Sequence, residues 1–199
     1  MTPALDFVQK SGREIEHVFE DLAKLRITVF RDFPYLYEGT MDYEKAYLQT
    51  YADSARAALF TVYDGEELVG ASTCIPLTDE TEEVQKPFVD AGYDLGDVFY
   101  FGESILLSQY RGLGLGHRFF DAREGHARSF GEYKLSCFCA VVRPLDHPLR
   151  PLDYQPLDAF WIKRGYRKEP QLQSLFDWPD VGEAVSSEKT MVYWTKAFN

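Results

Sequence analysis

The sequence predicts an α/β (α+β) domain in which helices flank a sheet. Three observations support this prediction: strand-like and helix-like periods alternate along the chain, a hairpin pattern lies in its first half, and no linker interrupts the order. With 199 residues, of which 45% are hydrophobic, the chain is long enough for one core and short for two. We therefore expect one domain over residues 1–199.

The first half of the chain predicts a strand, two helices and a hairpin. Apolar residues at helical spacing define the first helix, and Asp64 with Gly65 supplies the tight turn of the hairpin. An aromatic loop, PYLYEGT, separates the two helices. In order, the elements are a strand at 4–9, helices at 13–31 and 41–53, and a hairpin at 57–77.

The second half predicts strands alternating with helices. Pro-Leu-Asp occurs three times in residues 143–158, which indicates a rigid, proline-fixed loop rather than a repeat array. In order, the elements are an acidic surface helix at 78–92, a central strand at 97–107, a helix at 116–130, a strand at 133–142, the loop, a helix at 157–165, and strands near 172–178 and 189–198.

Composition narrows the classes of function. The formal net charge of -11 disfavours nucleic acid and anionic membranes as partners, because both require a basic surface. A cationic small molecule or a basic peptide fits better. No signal-like or membrane-spanning run is visible, so we expect a cytoplasmic protein. The three cysteines match no metal-site spacing and are typical of reduced, buried thiols.

The stretch QYRGLGLGHRFF, residues 109–120, places three glycines between the central strand and a helix. A dinucleotide fingerprint fails because His117 and Phe119 stand where its last glycine is needed, and a Walker A loop fails because no Gly-Lys-Ser/Thr follows. What remains is Arg-x-x-Gly-x-Gly at a helix start, whose free amides can bind a pyrophosphate. A plain glycine turn is the alternative interpretation. The predicted phosphate-binding residues are Arg111, Gly112, Leu113, Gly114, Leu115, Gly116 and His117.

The segment FGESILLSQYRGLGLGHRFF resembles the acyl-CoA-binding motif of the GNAT N-acetyltransferase superfamily, and the later FWIKRGY resembles the family's final helix. The resemblance implies a GNAT-like fold, with a mixed, mostly antiparallel sheet splayed between its central strands. It implies acetyl-CoA as co-substrate, with its pyrophosphate on the glycine loop. It also implies that pantetheine pairs with the strand edge at Ser104, Ile105 and Leu106, and it allows a homodimer.

In such an enzyme the acceptor amine attacks the thioester directly, and a backbone amide near Leu106 binds the oxyanion. Glu103 is the carboxylate on the central strand and therefore the candidate base, although strict alternation would turn it away from the acceptor unless a bulge intervenes. Trp161 stands where many family members have a tyrosine general acid. Tyr154 is the candidate substitute, and unassisted departure of the thiolate is the alternative.

Two loops wall the acceptor site in this family. Here they provide aromatic and carboxylate side chains that suit an amine with an apolar or cationic body, whereas Arg143 and Arg150 would suit a carboxylate. The candidate acceptor-binding residues are Phe33, Tyr35, Tyr37, Glu38 and His147. We therefore expect an acetyl-CoA-dependent N-acetyltransferase for a primary amine of a small molecule or peptide. The alternatives are a non-catalytic acyl-CoA-binding domain on the same fold and a nucleotide-binding protein of another class.

Overall fold

The computed structural model describes residues 4–198. It contains seven strands and five α-helices in those residues, with short 3-10 turns between them. In chain order the elements are β1 (Leu5–Lys10), α1 (Phe19–Phe30), α2 (Met41–Asp53), β2 (Ala58–Asp64), β3 (Glu67–Pro76), α3 (Glu82–Asp90), β4 (Val98–Leu106), α4 (Leu115–Ser129), β5 (Leu135–Val141), α5 (Asp158–Lys163), β6 (Arg167–Trp178) and β7 (Ser187–Ala197).

All seven strands join one sheet, in the order β1-β2-β3-β4-β5-β7-β6. Every neighbouring pair is antiparallel except β4 and β5, which are parallel. This confirms the predicted fold class, a mixed and mostly antiparallel sheet flanked by helices. Among residues 4–198, no helix combines the length and apolar character needed to cross a bilayer.

The parallel pair β4–β5 is short and then opens. Val98, Phe99 and Tyr100 pair with Leu135, Ser136 and Cys137, and beyond them both strands continue without pairing to each other. The sheet is therefore splayed between its two central strands, as the sequence resemblance implied. Each strand leaves a free backbone edge in the opening.

Two apolar cores cover the two faces of the sheet. Helices α1, α2 and α3 contribute Leu22, Leu48 and Phe88 to one core. Helix α4 packs Phe119 and Phe120 into the other core, where α5 adds partly buried aromatic side chains. The splay lies in the sheet between these two layers.

Two elements differ from their predicted form. The helix predicted over residues 13–31 begins as a 3-10 segment, Gly12–Val18, in which Ile15 and Val18 are buried at the three-residue spacing of that helix. Strand β6 begins at Arg167, earlier than predicted. Its pairing with β7 shifts register between Glu169 and Gln173, where Pro170 lacks an amide to donate.

Candidate functional site

The glycine loop presents a row of free backbone amides at the start of α4. None of the amides of residues 112–117 donates a hydrogen bond to another group within residues 4–198; the first helical bond runs from Arg118 to the Gly114 carbonyl at 3.2 Å. Gly112 and Gly114 both have φ of 80°, a backbone conformation that favours glycine. Residues 111–114 are exposed. The unpaired amides and the positive end of the helix dipole therefore have the chemistry that suits an anion.

Space around the loop suits a bulky anion. A Cβ atom at Gly112 or Gly114 would meet nothing within 4 Å, whereas one at Gly116 would lie 3.6 Å from Phe160. Arg111 is exposed beside the loop, with its Nε 3.4 Å from the Leu106 carbonyl. His117 is exposed on the first turn of α4, its ring 4.8 Å from that of Phe160. Arg111 and His117, both predicted phosphate-binding residues, thus flank the amides.

The free edge of β4 leads directly into this loop. The Leu107 amide donates to the Val69 carbonyl on β3 at 3.0 Å, so strand alternation turns the peptide groups of Ser104 and Leu106 toward the splay. The peptide groups of Ile105 face β3 instead, and its side chain is buried. Of the three residues predicted to pair with pantetheine, Ser104 therefore offers an open amide and carbonyl, and Leu106 offers an open amide, since its carbonyl accepts from Arg111 Nε at 3.4 Å.

A β-bulge decides where Glu103 points. Ser72 pairs with Ser104 but Cys74 pairs with Phe101, so β4 holds one extra residue between these pairs. The bulge is fixed by side chains: the Glu103 amide donates to Thr73 Oγ1 at 3.2 Å, and its carbonyl accepts from Ser72 Oγ at 2.8 Å. The extra residue reverses the alternation. Glu103 consequently faces α1 and α2.

The surroundings of Glu103 are polar, although the residue is buried. Arg26 of α1 places Nη1 2.6 Å from Glu103 Oε2, and Arg26 also pairs with the buried carboxylate of Glu44. The Tyr47 hydroxyl lies 3.4 Å from the same Oε2. Glu103 Oε1 is buried and has no hydrogen-bond partner within the described residues. A buried carboxylate oxygen without a donor is costly, so Oε1 is suited to an N–H group of a bound ligand.

The two predicted acceptor loops meet through aromatic contacts. The Phe33 ring centroid lies 4.7 Å from that of Tyr154 and 5.7 Å from that of His147. The Arg150 guanidinium carbon lies 4.9 Å from the Tyr154 ring centroid. Burial raises the pKa of Tyr154, with the charge of Arg150 opposing that rise. The structure thus brings Phe33 together with His147 and Tyr154, which lie far later in the chain.

The other predicted acceptor residues are held by neighbours. The Tyr35 ring lies 4.7 Å from Phe30, and burial raises the pKa of its hydroxyl. Burial also raises the pKa of Tyr37, whose hydroxyl lies near the Glu44 carboxylate. Glu38 forms an ion pair with Arg31 at the surface. These three residues line the same loop, but the Glu38 carboxylate is already paired.

A buried clamp ties this loop to the β6–β7 connection. Arg143 donates to the two carboxylate oxygens of Asp180 at 2.7 and 2.8 Å, and to the carbonyls of Pro34 and Tyr35 at 2.7 and 2.6 Å. The indole of Trp178 donates to the same Tyr35 carbonyl at 3.1 Å. The guanidinium of Arg143 therefore already has its hydrogen-bond partners, which hold the loop that contains Pro34 and Tyr35. It is not a free cation for a substrate carboxylate.

The clamp gives a stability prediction. Burial alone would raise the pKa of Asp180, but Arg143 and Lys189 outweigh it and lower that pKa. We expect Asp180→Asn to reduce the free energy of unfolding by about 3 kcal/mol at neutral pH, because Arg143 and Lys189 lose their buried counter-charge. The difference from wild type is present above the unfolded-state pKa of about 4 and is lost as pH falls through the lowered folded-state pKa.

Denaturant unfolding at several pH values measures this difference. Asp177→Asn, near the end of β6, is the control, since Asp177 is exposed and forms no ion pair within the described residues. An Asp180→Asn penalty that stays constant down to low pH would contradict the assignment.

Comparison with known proteins places this geometry in a fold. No protein-family model and no curated protein matches the sequence. Among solved structures, Arabidopsis thaliana NAA60 in complex with acetyl-CoA superposes with a TM-score of 0.61 at 13% identity, over 98% of this chain and 99% of that chain. A GNAT-family acetyltransferase from Streptococcus pneumoniae gives a TM-score of 0.58 at 12% identity, over 98% and 99% of the two chains. The chain has the GNAT fold.

Within this GNAT fold, α5 carries Trp161 at the position that the sequence resemblance assigned to a tyrosine. The Trp161 ring centroid lies 5.1 Å from that of Trp194 and 5.0 Å from that of Phe138. It is a packing residue and has no hydroxyl to donate. The predicted replacement is Tyr154, whose hydroxyl has no hydrogen-bond partner within residues 4–198.

A polar network on the face of the sheet covered by α1 and α2 was missed by sequence reasoning. It consists of Arg26, Glu44, Tyr47, Tyr51 and Glu80, most of them buried. A signal was present: Glu44, Tyr47 and Tyr51 recur at helical spacing on the same side of α2 as the core residue Leu48. Polar residues on a core-facing stripe need partners, and here those partners are one another and Glu103.

Proposed function

We propose that this protein is an acetyl-CoA-dependent N-acetyltransferase that moves the acetyl group to a primary amine of a small molecule or peptide. The observation that carries the proposal is a row of backbone amides, residues 112–117, that donate no hydrogen bond within residues 4–198. They follow β4, whose edge beyond Tyr100 is not paired with β5. The GNAT fold supports it, and one neighbour, Arabidopsis NAA60, has been solved in complex with acetyl-CoA.

The proposed cofactor pose follows the free backbone groups. The pyrophosphate of acetyl-CoA lies on the amides of residues 112–117, with Arg111 and His117 beside it. Pantetheine extends along β4 and pairs with the peptide groups of Ser104 and Leu106, as an added strand would. In this pose the thioester lies near the β-bulge at Glu103.

The proposed reaction is direct attack in a ternary complex. The amine nitrogen attacks the thioester carbonyl carbon, the carbonyl oxygen takes negative charge beside a backbone amide near Leu106, and the carbon–sulfur bond then breaks. Glu103 Oε1 takes the proton of the attacking amine, since it is the carboxylate oxygen that lacks a donor. The departing thiolate takes a proton from Tyr154 or from water.

The proposed acceptor lies between the two loops, against Phe33, Tyr35, Tyr37 and His147, with Glu38 at the rim. An aromatic wall and a net charge of -11 favour an amine that arrives as a cation. One neighbour, Arabidopsis NAA60, has also been solved with a bisubstrate analogue, which supports an acceptor site adjoining the cofactor in this fold. We place the activity in the cytoplasm.

Titration calorimetry and thermal melting test the cofactor part of the proposal. We expect coenzyme A to give saturable heat and to raise the melting temperature, because it binds the folded state alone. ATP and NAD serve as controls and are expected to leave the melting temperature nearly unchanged. Absence of saturation with folded protein would overturn the proposal, and protection by ATP or NAD instead would favour another nucleotide.

A second candidate is an acyl-CoA-binding domain that does not transfer the acetyl group. It is favoured by Trp161, which has no hydroxyl, and by the Arg26 ion pair at Glu103. Release of free thiol from acetyl-CoA across a panel of primary amines separates the two. Amine-dependent thiol release supports the transferase, whereas binding without release by any amine supports the second candidate.

A further inference from the structure

A continuous chain of side-chain contacts runs from Glu103 to a second buried glutamate. The Tyr47 hydroxyl lies 3.4 Å from Glu103 Oε2, the Tyr47 and Tyr51 hydroxyls are 3.0 Å apart, and the Tyr51 hydroxyl donates to Glu80 Oε1 at 2.7 Å. The first link is long for an O–H···O hydrogen bond, and hydrogen bonds of a catalytic site often tighten only in the complex with substrate. The chain joins β4 through α2 to the segment after β3.

The glutamate at the far end has no cation beside it. No Lys, Arg or His side chain of residues 4–198 forms an ion pair with Glu80, whereas Arg26 lies 2.6 Å from Glu103. The other Glu80 oxygen accepts from the Thr81 amide at 3.0 Å. Burial raises the pKa of Glu80, against the lowering effect of the Tyr51 and Thr81 hydrogen bonds and of the more distant Arg26. Such a carboxylate has a higher affinity for a proton than an ordinary surface glutamate.

The bulge in β4 makes room for this chain. A Cβ atom at Gly102 would collide with the Tyr51 hydroxyl and with Thr73 Oγ1. Glycine at this position therefore lets Tyr51 lie directly against the strand beside Glu103. Glu80 retains 7% exposure and stands between the exposed residues Asp79 and Thr81, so the chain ends near solvent.

We propose that Tyr47, Tyr51 and Glu80 form a proton relay that carries the proton released at Glu103 to solvent. The relay rests on the proposed acetyltransfer. The relay residues receive the proton from Glu103 and do not contact the reacting atoms. They are therefore positioning residues that act through Glu103, and not catalytic residues. Arg26 favours the direction of transfer, because its positive charge is adjacent to Glu103 and farther from Glu80.

The number of protons that the acceptor amine loses determines whether the relay has a proton to carry. An acceptor that arrives as R-NH3+ loses two protons in becoming the amide R-NH-CO-CH3, and the coenzyme A thiolate takes one of them. The other is taken up at Glu103 Oε1, and a half-turn of the neutral carboxyl group about its Cγ–Cδ bond brings that O–H to the Tyr47 hydroxyl, which Glu103 contacts through the Oε2 position. The proton then moves to Tyr47, as the Tyr47 proton moves to Tyr51 and the Tyr51 proton to Glu80. Glu103 is a carboxylate again, both tyrosines are restored, and Glu80 releases its proton to water. An acceptor that arrives neutral leaves no net proton to remove.

This difference between acceptors gives the test. A primary alkylamine is a cation at neutral pH, and the alkoxyamine of the same length is neutral. With the alkylamine we expect Tyr51→Phe and Glu80→Gln each to lower kcat about 10-fold or more, within the range for proton-transfer groups, and to leave the KM for acetyl-CoA within about twofold. With the alkoxyamine we expect both variants to stay within about twofold of wild type. The solvent deuterium isotope effect on kcat should change only with the alkylamine.

Controls separate the relay from a packing defect and from failure of the proposed function. Tyr93→Phe removes a hydroxyl that has no hydrogen bond within residues 4–198, and Glu80→Gln keeps a side chain able to accept from Tyr51 should Tyr51→Phe fold poorly. Equal losses with both acceptors, or unchanged kcat in both variants with the alkylamine, would overturn the relay alone. Coenzyme A binding with no acetylation by wild type would overturn the transferase and the relay together.

Discussion

Gly114→Asp is expected to weaken coenzyme A binding about 100-fold or more while the protein stays folded. The carboxylate would stand among the amides of residues 112–117, where the pyrophosphate is proposed to bind, and would replace attraction by repulsion. A Cβ atom at this position meets nothing within 4 Å, so no packing is disturbed. Titration calorimetry measures the affinity, and a thermal melt without ligand measures the cost to folding.

Gly92→Asp provides a matched control for the backbone. Gly92 has φ of 79°, nearly the 80° of Gly114, and a Cβ atom there also meets nothing within 4 Å. Both variants therefore carry the same left-handed strain, which aspartate tolerates better than most residues. Only Gly114→Asp should lose coenzyme A. Unchanged affinity in Gly114→Asp would mean that the loop amides do not bind the cofactor.

Glu103→Gln is expected to lower kcat by about 10²- to 10⁴-fold, with the affinity for acetyl-CoA close to normal. The amide has nearly the shape of the carboxylate but cannot take the proton of the attacking amine. It also removes the negative charge 2.6 Å from Arg26, so the melting temperature should fall as well. Steady-state kinetics well below that melting temperature separates the two effects.

Glu44→Gln is the control for the ion pair. Glu44 also pairs with the buried Arg26, but it is not the carboxylate on β4. We expect a similar loss of stability from this variant and a much smaller loss of kcat. Equal loss of kcat in the two variants would show that the charge balance at Arg26, and not a base at Glu103, controls the rate.

The elements with strong periodicity could be predicted from the sequence. The hairpin around Gly65 and the helix α4 follow from local turn and spacing rules, and the structure has both close to the predicted bounds. The glycine loop was also predictable, because the amides that make it chemically distinctive belong to consecutive residues. Local chemistry of this kind needs no knowledge of distant partners.

The rest of the site depends on contacts that local patterns do not encode. One extra residue in β4 reverses the direction of Glu103, and that bulge is held by Ser72 and Thr73 of the neighbouring strand. Arg26 and Glu80 lie far apart in sequence and reach Glu103 only through the tertiary packing of α1, α2 and the segment after β3. Periodicity marks such residues as core-facing but does not identify their partners.

The opening beyond Tyr100 and Cys137 has a mechanical consequence. Main-chain pairing joins the half-sheet β1–β4 to the half-sheet β5–β7 through only three residue pairs of the described strands. The two half-sheets are therefore connected over a short length. A ligand that pairs with one half-sheet and packs against the other would hold the two half-sheets together. In the free protein, the amides of Ser104 and Leu106 should exchange their hydrogens with solvent as fast as those of an edge strand, although β4 is the central strand of the seven-stranded sheet.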